Sequence, residues 1–365
     1  MPKLRAPRLS APRRRAPGAK PPRSRGASPV VGLEIGATQL IAAQAHLDEG
    51  RIVADRVVVR PLPTGLVEDG LVADRDALVR ELRAFFKEHR LGRRVRVGLA
   101  TPRTILRVID LPPLGEGDIR AALAMQAQDR IPMPLNRAVL DHQTIGLVDT
   151  PDGPRLRVVV VATEREGVEM LFDVLKQAGL RPEGIDLSVF AAMRAVARVQ
   201  PDGPVLYAQL GDLVNLAITE GGVCQFTRQA PQGLALVLQR LSEARSVSVS
   251  EAHELLIATT DHPEVCSRDE LSEVGALLAR VAGELGSELR AAAEFYGNQS
   301  GVTISEAIVT GPLARLKGFV PALADASNLE LHCGEVLAAR PDALSAIDAC
   351  VAPVAVGLTI ARVGS

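Results

Sequence analysis

Tryptophan is absent from these 365 residues, and only seven Phe and two Tyr stand among them. A nucleic-acid surface built on aromatic stacking is thereby excluded for the bulk of the chain. Cysteine is scarce. Cys224, Cys266, Cys333 and Cys350 lie far apart, with no CxxC pair and no metal-ligand spacing. That argues against structural zinc and a disulfide framework, and a reducing, cytosolic setting is the simplest reading. No apolar run reaches the roughly 18 residues of a membrane span. The longest stretch, 349–361, is broken by Pro353 and Gly357, and the basic N-terminus lacks the apolar core of a secretory signal.

What is present divides in two. The net charge of −1 comes from 42 Lys+Arg against 43 Asp+Glu, but nine of the basic residues fall in 1–29, with seven prolines and no acid. Such a segment cannot bury enough surface to offset its ordering entropy, so 1–29 is predicted to be a disordered basic tail. It is either merely solvated or drawn to an anionic surface, lipid before nucleic acid. The remaining body is acidic, and 47% hydrophobic content over the whole chain suffices for a packed core.

From Val30 the pattern becomes that of a folded α/β protein. Short apolar runs at 30–35, 40–45 and 51–60, joined by tight turns, predict a β-meander. Helices are predicted at 76–89 with Asp76 as cap, at 118–130 with Asp118 as cap, at 164–178, and at 188–197 behind Ser188. Strands are predicted at 94–100 and 156–163. At 205–229 the meander returns: strand, Gly211-Asp212 turn, strand, Gly221-Gly222 hairpin, strand. Helices follow at 233–245, behind Ser250, along 269–299, at 312–324 and at 349–361. Two meanders about 175 residues apart, each followed by helices, predict a duplicated two-lobed α/β fold with a nucleotide-sized cleft between the lobes. Small residues in such turns let backbone N–H groups approach phosphate oxygens.

Six segments in order, spread from residue 31 to 296, resemble one family. VGLEIGAT (31–38) stands where that family has a first phosphate loop, and LVEDGLV (66–72) resembles the segment before its first helix. VIDLP (108–112), IPMP (131–134), GLRP (179–182) and the ELR…EFY pattern (288–296) follow. Together they resemble the type IV pilus assembly protein PilM family of the actin/FtsA-like superfamily, over about 30–362. The resemblance implies an actin-like, ribonuclease H-like duplicated fold. Lobe one would comprise 30–100, 181–203 and a C-terminal helix at 349–362. A small α+β insert would fill 101–180. Lobe two would fill 204–348, with a helical subdomain at about 234–290.

The resemblance also implies a cofactor site at Glu34, Gly36, Ala37, Thr38, Gln209, Gly211, Asp212 and Gly311, from which this sequence departs. The family's first-loop Asp is Glu34 and the following Ser is Ala37. In the second loop the metal-side Asp is Gln209, and Asp212 sets a negative charge where phosphate should approach. In the third, Pro312 removes a backbone donor and Leu313 adds bulk. ATP is therefore a doubtful ligand, with Mg expected only alongside it, and hydrolysis is not expected. No catalytic or metal-ligating residue stands out.

The implied function is a cytoplasmic scaffold of a type IV pilus or related secretion machine, held at the inner face of the membrane. In the family a groove between the insert and the first lobe receives the N-terminal tail of PilN, an inner-membrane partner. Leu106, Val108, Ile109, Met125, Ile131 and Met133 are the candidate lining residues, with Asp110 and Asp129 available to a basic tail residue. Other pilus assembly components are further expected partners. The alternatives are a nucleotide-binding ATPase of the superfamily and an FtsA-like division adaptor.

Overall fold

The computed structural model describes residues 29–151, 153–196, 203–221, 223–344 and 349–360. The basic tail predicted for 1–29 lies outside them except for Pro29. The first meander forms as expected: β1 (Val31–Ile35), β2 (Gln39–Asp48) and β3 (Arg51–Pro61) pair antiparallel. A small hairpin, β4 (Val67–Glu68) and β5 (Leu71–Val72), follows and turns at Asp69-Gly70, both at positive φ. Only glycine fits at 70, because a Cβ there would strike the carbonyl of Ala100. Helix α1 (Arg75–Glu88) buries Leu78, Leu82 and Phe85. Its cap is Asp74, whose carboxylate accepts from the Ala77 N–H at 2.9 Å, while the predicted cap Asp76 sits inside the first turn. β6 (Arg94–Leu99) then runs parallel to β1.

The insert is a three-stranded antiparallel sheet under one helix. β7 (Thr104–Leu111), α2 (Glu116–Arg130), β8 (Ala138–Thr150) and β9 (Gly153–Glu164) follow one another, with sheet order β7-β9-β8. Alternate residues of β7 and β9, among them Ile109, Leu111, Val158 and Val160, face Ile119, Leu123 and Ile131 to make its core. β8 carries only two short apolar pieces, 138–140 and 145–148, separated by the polar 141–144; it is a solvated outer strand whose register breaks at Gly146. Helix α3 (Arg165–Gln177) sends Leu171, Val174 and Leu175 into the core of α1. The insert therefore closes at Glu164, earlier than the expected residue 180. β10 (Arg181–Leu187), parallel to β6, and α4 (Ser188–Val196) complete this part of the first lobe.

The second lobe repeats the plan. β11 (Val205–Leu210), β12 (Val214–Glu220) and β13 (Val223–Ala230) form the meander. They lead to α5 (Leu234–Arg245), α6 (Val249–Asp261), α7 (Arg268–Ser300), β14 (Glu306–Thr310), α8 (Phe319–Ser327) and β15 (Glu330–Cys333). Capping boxes at Ser248/Glu251 and Ser267/Glu270 start α6 and α7, so Ser250, the expected cap, lies inside α6. The single helix expected at 312–324 is split: a 3₁₀ turn ends at Arg315, and α8 starts after Gly318 at φ 81°. β16 (Leu337–Ala338) pairs with β3, so the chain is back on the first sheet well before residue 348. α9 (Pro353–Leu358) is shorter than expected.

Sheet order shows the duplication directly. The first lobe runs β10-β6-β1-β2-β3-β16 and the second β15-β14-β11-β12-β13, so β11 is the counterpart of β1 and β14 that of β6. Helices α4 and α9 lie between the two sheets, joining Ile41 and Ala43 of the first to Val205 and Tyr207 of the second. α9 lies close to α4 because Gly357 has no Cβ to strike the Ala191 carbonyl, and close to β1 because Gly32 has none to strike that of Ala355. This shared layer brings the β1–β2 and β11–β12 turns face to face.

Candidate functional site

The two meander turns meet across the lobes. The Ala37 N–H donates to Asp212 Oδ2 at 2.7 Å, a bond between residues 175 apart in the chain. Gly36 leaves room for it, since a Cβ there would lie 3.3 Å from the same oxygen. The second turn is itself held by α5: Leu234 N–H donates to the Gly211 carbonyl at 2.8 Å and Ala235 N–H to that of Asp212 at 3.3 Å. The first N–H groups of α5, the usual receivers of an anion at a helix start, are thus already satisfied.

Glu34 lies within electrostatic reach of Asp212. The residue as a whole is partly buried, yet its Oε2 is shut off from solvent and has no hydrogen-bond partner. Burial first, and then the charge of Asp212, push the Glu34 carboxyl up to about 8. Burial also raises Asp212, while the Ala37 N–H works against that rise. The geometry agrees: Asp212 has the donor that favours the anion, and Glu34 has none, so Glu34 holds its proton at neutral pH.

Thr38 is 4% exposed, and with Gln39 it borders a cavity of about 510 Å³ between the lobes. Leu234, Leu256, Ile257 and Leu316 line its apolar side, and Arg315 meets Asp261 at 2.5 Å on its wall. Gly311, at φ 102°, gives its N–H to the Cys350 carbonyl at 2.7 Å. Gln209 accepts from Asn215 Nδ2 at 3.1 Å, Asn215 Oδ1 accepts from Gln229 Nε2 at 3.0 Å, and that same group donates to the Thr101 carbonyl at 2.8 Å. The eight cofactor-site residues therefore do converge, but Thr38 alone lines the cavity. The site does not fit a polyphosphate. The turn N–H is held by the Asp212 carboxylate, which sets a negative charge where phosphate would approach, and Gln209 brings no charge for a metal. Among the described residues, no cluster of three or more His, Cys, Asp or Glu is placed to hold a metal ion.

A second concavity, about 190 Å³, opens between the insert and both lobes. It is bounded by Thr104–Arg107 of β7, Leu99 and Leu187–Val189 of the first lobe, and Thr227–Gln229 of β13. β7 and β13 are each an edge of their own sheet. Of the six candidate partner residues, Leu106 lines this groove, and Val108 lies on the same face of β7. Ile109 and Ile131, 0% and 3% exposed, are sealed in the insert's own core and are corrected to core roles, and Met133 is half-buried against that core. Strand alternation on β7 separates Ile109 from Leu106, a distinction a short apolar run conceals. Met125 is 77% exposed, on α2. Asp110 is engaged by Arg157 in a bidentate pair at 2.8 and 2.9 Å. The side chain of Asp129 lies outside the described residues. Sequence reasoning missed Thr101, Leu187–Val189, Asn215 and Gln229, whose only signal is tertiary proximity.

Comparison with known proteins matches these features. The solved PilM-PilN type IV pilus biogenesis complex is similar over 91% of this chain and 98% of that one, with 23% identity and a TM-score of 0.74. The ethanolamine utilization protein EutJ from Carboxydothermus hydrogenoformans is similar over 92% of this chain and 90% of that one, at 16% identity and a TM-score of 0.52. At such identities the likeness speaks for the fold, which is two-lobed and actin-like. The family described as type IV pilus assembly protein PilM matches residues 32–334. That span takes in both meanders, the insert and both turns of the cleft, and the chain belongs to the type IV pilus assembly protein PilM family.

Proposed function

We propose that this protein is an actin-like scaffold of a type IV pilus machine whose groove beside β7 docks the N-terminal tail of a PilN-like inner-membrane protein. The observation that carries the reading is the meeting of two sheet edges, β7 and β13, across one apolar-floored groove. An extended peptide entering there finds unpaired backbone groups for strand addition and Leu99, Leu106 and Val189 for its side chains. Arg107 and Arg228 supply the charged residues of the lining, and Arg228 is paired with Glu288 at 2.6 Å.

Membrane association follows from the partner in this reading, since among the described residues no helix is long and apolar enough to cross a membrane. Docking is independent of ATP, because the polyphosphate position between the lobes is unsuited to it. Calorimetry with a synthetic peptide of the PilN-like tail tests this. Micromolar to sub-millimolar binding is expected, equal with and without Mg-ATP and weakened at least ten-fold by Leu106→Asp. Absence of binding at millimolar peptide would overturn the reading.

A further inference from the structure

We propose that Asp212 is the chain's own substitute for a bound phosphate: its carboxylate latches the β1–β2 turn of the first lobe to the β11–β12 turn of the second. This goes beyond tail docking, since it concerns how the lobes are held. Four observations carry it. The Asp212 carboxylate accepts the Ala37 N–H at 2.7 Å, so the donor an anionic ligand would use is already engaged. The turn bearing Asp212 is fixed by Leu234 and Ala235 of α5, so the carboxylate is aimed by the backbone behind it. Gly36 supplies the space the carboxylate needs. Glu34 Oε2 stands enclosed beside the pair with no donor of its own, so Asp212 alone takes the Ala37 N–H.

The latch acts on more than the cleft. One wall of the groove, β7, belongs to the insert of the first lobe, and the opposite wall, β13, belongs to the second. Their separation depends on the spacing of the lobes. A bond that closes the lobes without any ligand keeps that groove at one width whether or not nucleotide is present. A charge-assisted N–H bond to an enclosed carboxylate is suited to this, being shorter and stronger than a neutral one.

Hydrogen exchange followed by mass spectrometry on the full chain tests the latch, with Asp212→Ser and Asp212→Asn. Serine is too short to span the turns, whereas the asparagine oxygen still accepts a weaker bond. The expected result is at least ten-fold faster exchange in the peptide spanning 34–40 for D212S, about three-fold for D212N, and unchanged exchange in α7. Millimolar Mg-ATP should leave the 34–40 peptide of the unsubstituted protein unaltered. Unchanged exchange in D212S, or protection of that peptide by Mg-ATP in the unsubstituted protein, would overturn the proposal. Should D212S fail to fold, D212N decides alone: faster exchange at 34–40 with α7 unchanged supports the latch, and no change there overturns it.

Discussion

Replacing Glu34 by Gln should stabilise the protein, by an amount that grows with pH. Glu34 sits with Oε2 enclosed and without a partner, and burial together with Asp212 holds its carboxyl up to about 8 against an ordinary value of 4.5. The sign follows from proton counting. Between these values the folded state keeps a proton that the unfolded chain has released, so the folded state binds more protons. Stability is then full below about pH 4.5 and falls as pH rises, by about 1.4 kcal/mol per unit, until the folded group ionises near pH 8. At pH 7 the penalty is about 3 kcal/mol. Glutamine has nearly the same shape, cannot ionise, and offers an N–H toward Asp212.

Urea unfolding at pH 5, 7 and 8.5 provides the assay. With no tryptophan in the chain, far-UV circular dichroism is the appropriate probe. The difference between Glu34→Gln and the unsubstituted protein should be under about 1 kcal/mol at pH 5 and about 3 kcal/mol at pH 7. Contributions from other carboxyls largely cancel in that difference. Parallel profiles for the two proteins from pH 5 to 8, or a less stable variant at pH 7, would refute an enclosed, protonated Glu34.

Gly32→Ala should destabilise by about 2–3 kcal/mol in urea unfolding, since its Cβ would drive α9 off β1 through the Ala355 carbonyl. Leu285→Ala, at a fully buried position of α7, should cost about 3 kcal/mol in the same assay. Ser267→Ala removes the capping box of α7 and should cost about 1 kcal/mol, with hydrogen exchange rising in the first turn of that helix and not at Gly301. Asp110→Ala breaks a bidentate but half-exposed pair with Arg157, so about 0.5–1 kcal/mol is expected, and less in molar salt.

Much of the fold was legible because local physics writes it into the sequence. The period of Leu78, Leu82 and Phe85 fixes the inner face of α1, and the repeated strand–Gly turn–strand order announces the duplication that the two sheet orders display. What was not legible depends on neighbours distant in sequence. β8 is a solvated outer strand whose apolar pieces, 138–140 and 145–148, are short and separated by polar residues. β16 is two residues long and exists only because β3 leaves an edge for it. Capping residues were misplaced by two positions at α1 and α6, where two candidate cap residues lie close together: Asp74 and Asp76, Ser248 and Ser250.

The cleft shows the same limit at the level of charge. In the sequence, Asp212 reads as repulsion toward a phosphate, Gln209 as the loss of a metal contact, and Ala37 as the loss of a hydroxyl. Each is a subtraction when taken alone. In the fold the same residues are partners: the carboxylate that repels phosphate accepts the Ala37 N–H, and Gln209 joins Asn215 and Gln229 in a chain of bonds reaching Thr101 at the root of the insert. A buried backbone donor left without an acceptor costs about 1–3 kcal/mol, so a turn that no longer receives phosphate needs another acceptor in its place. Asp212 meets that need at 2.7 Å, and Glu34, left without a donor, keeps its proton. The departures from the family pattern are therefore coupled: once the Asp212 carboxylate fills the turn, a second ionised carboxylate and a metal site lose their purpose together.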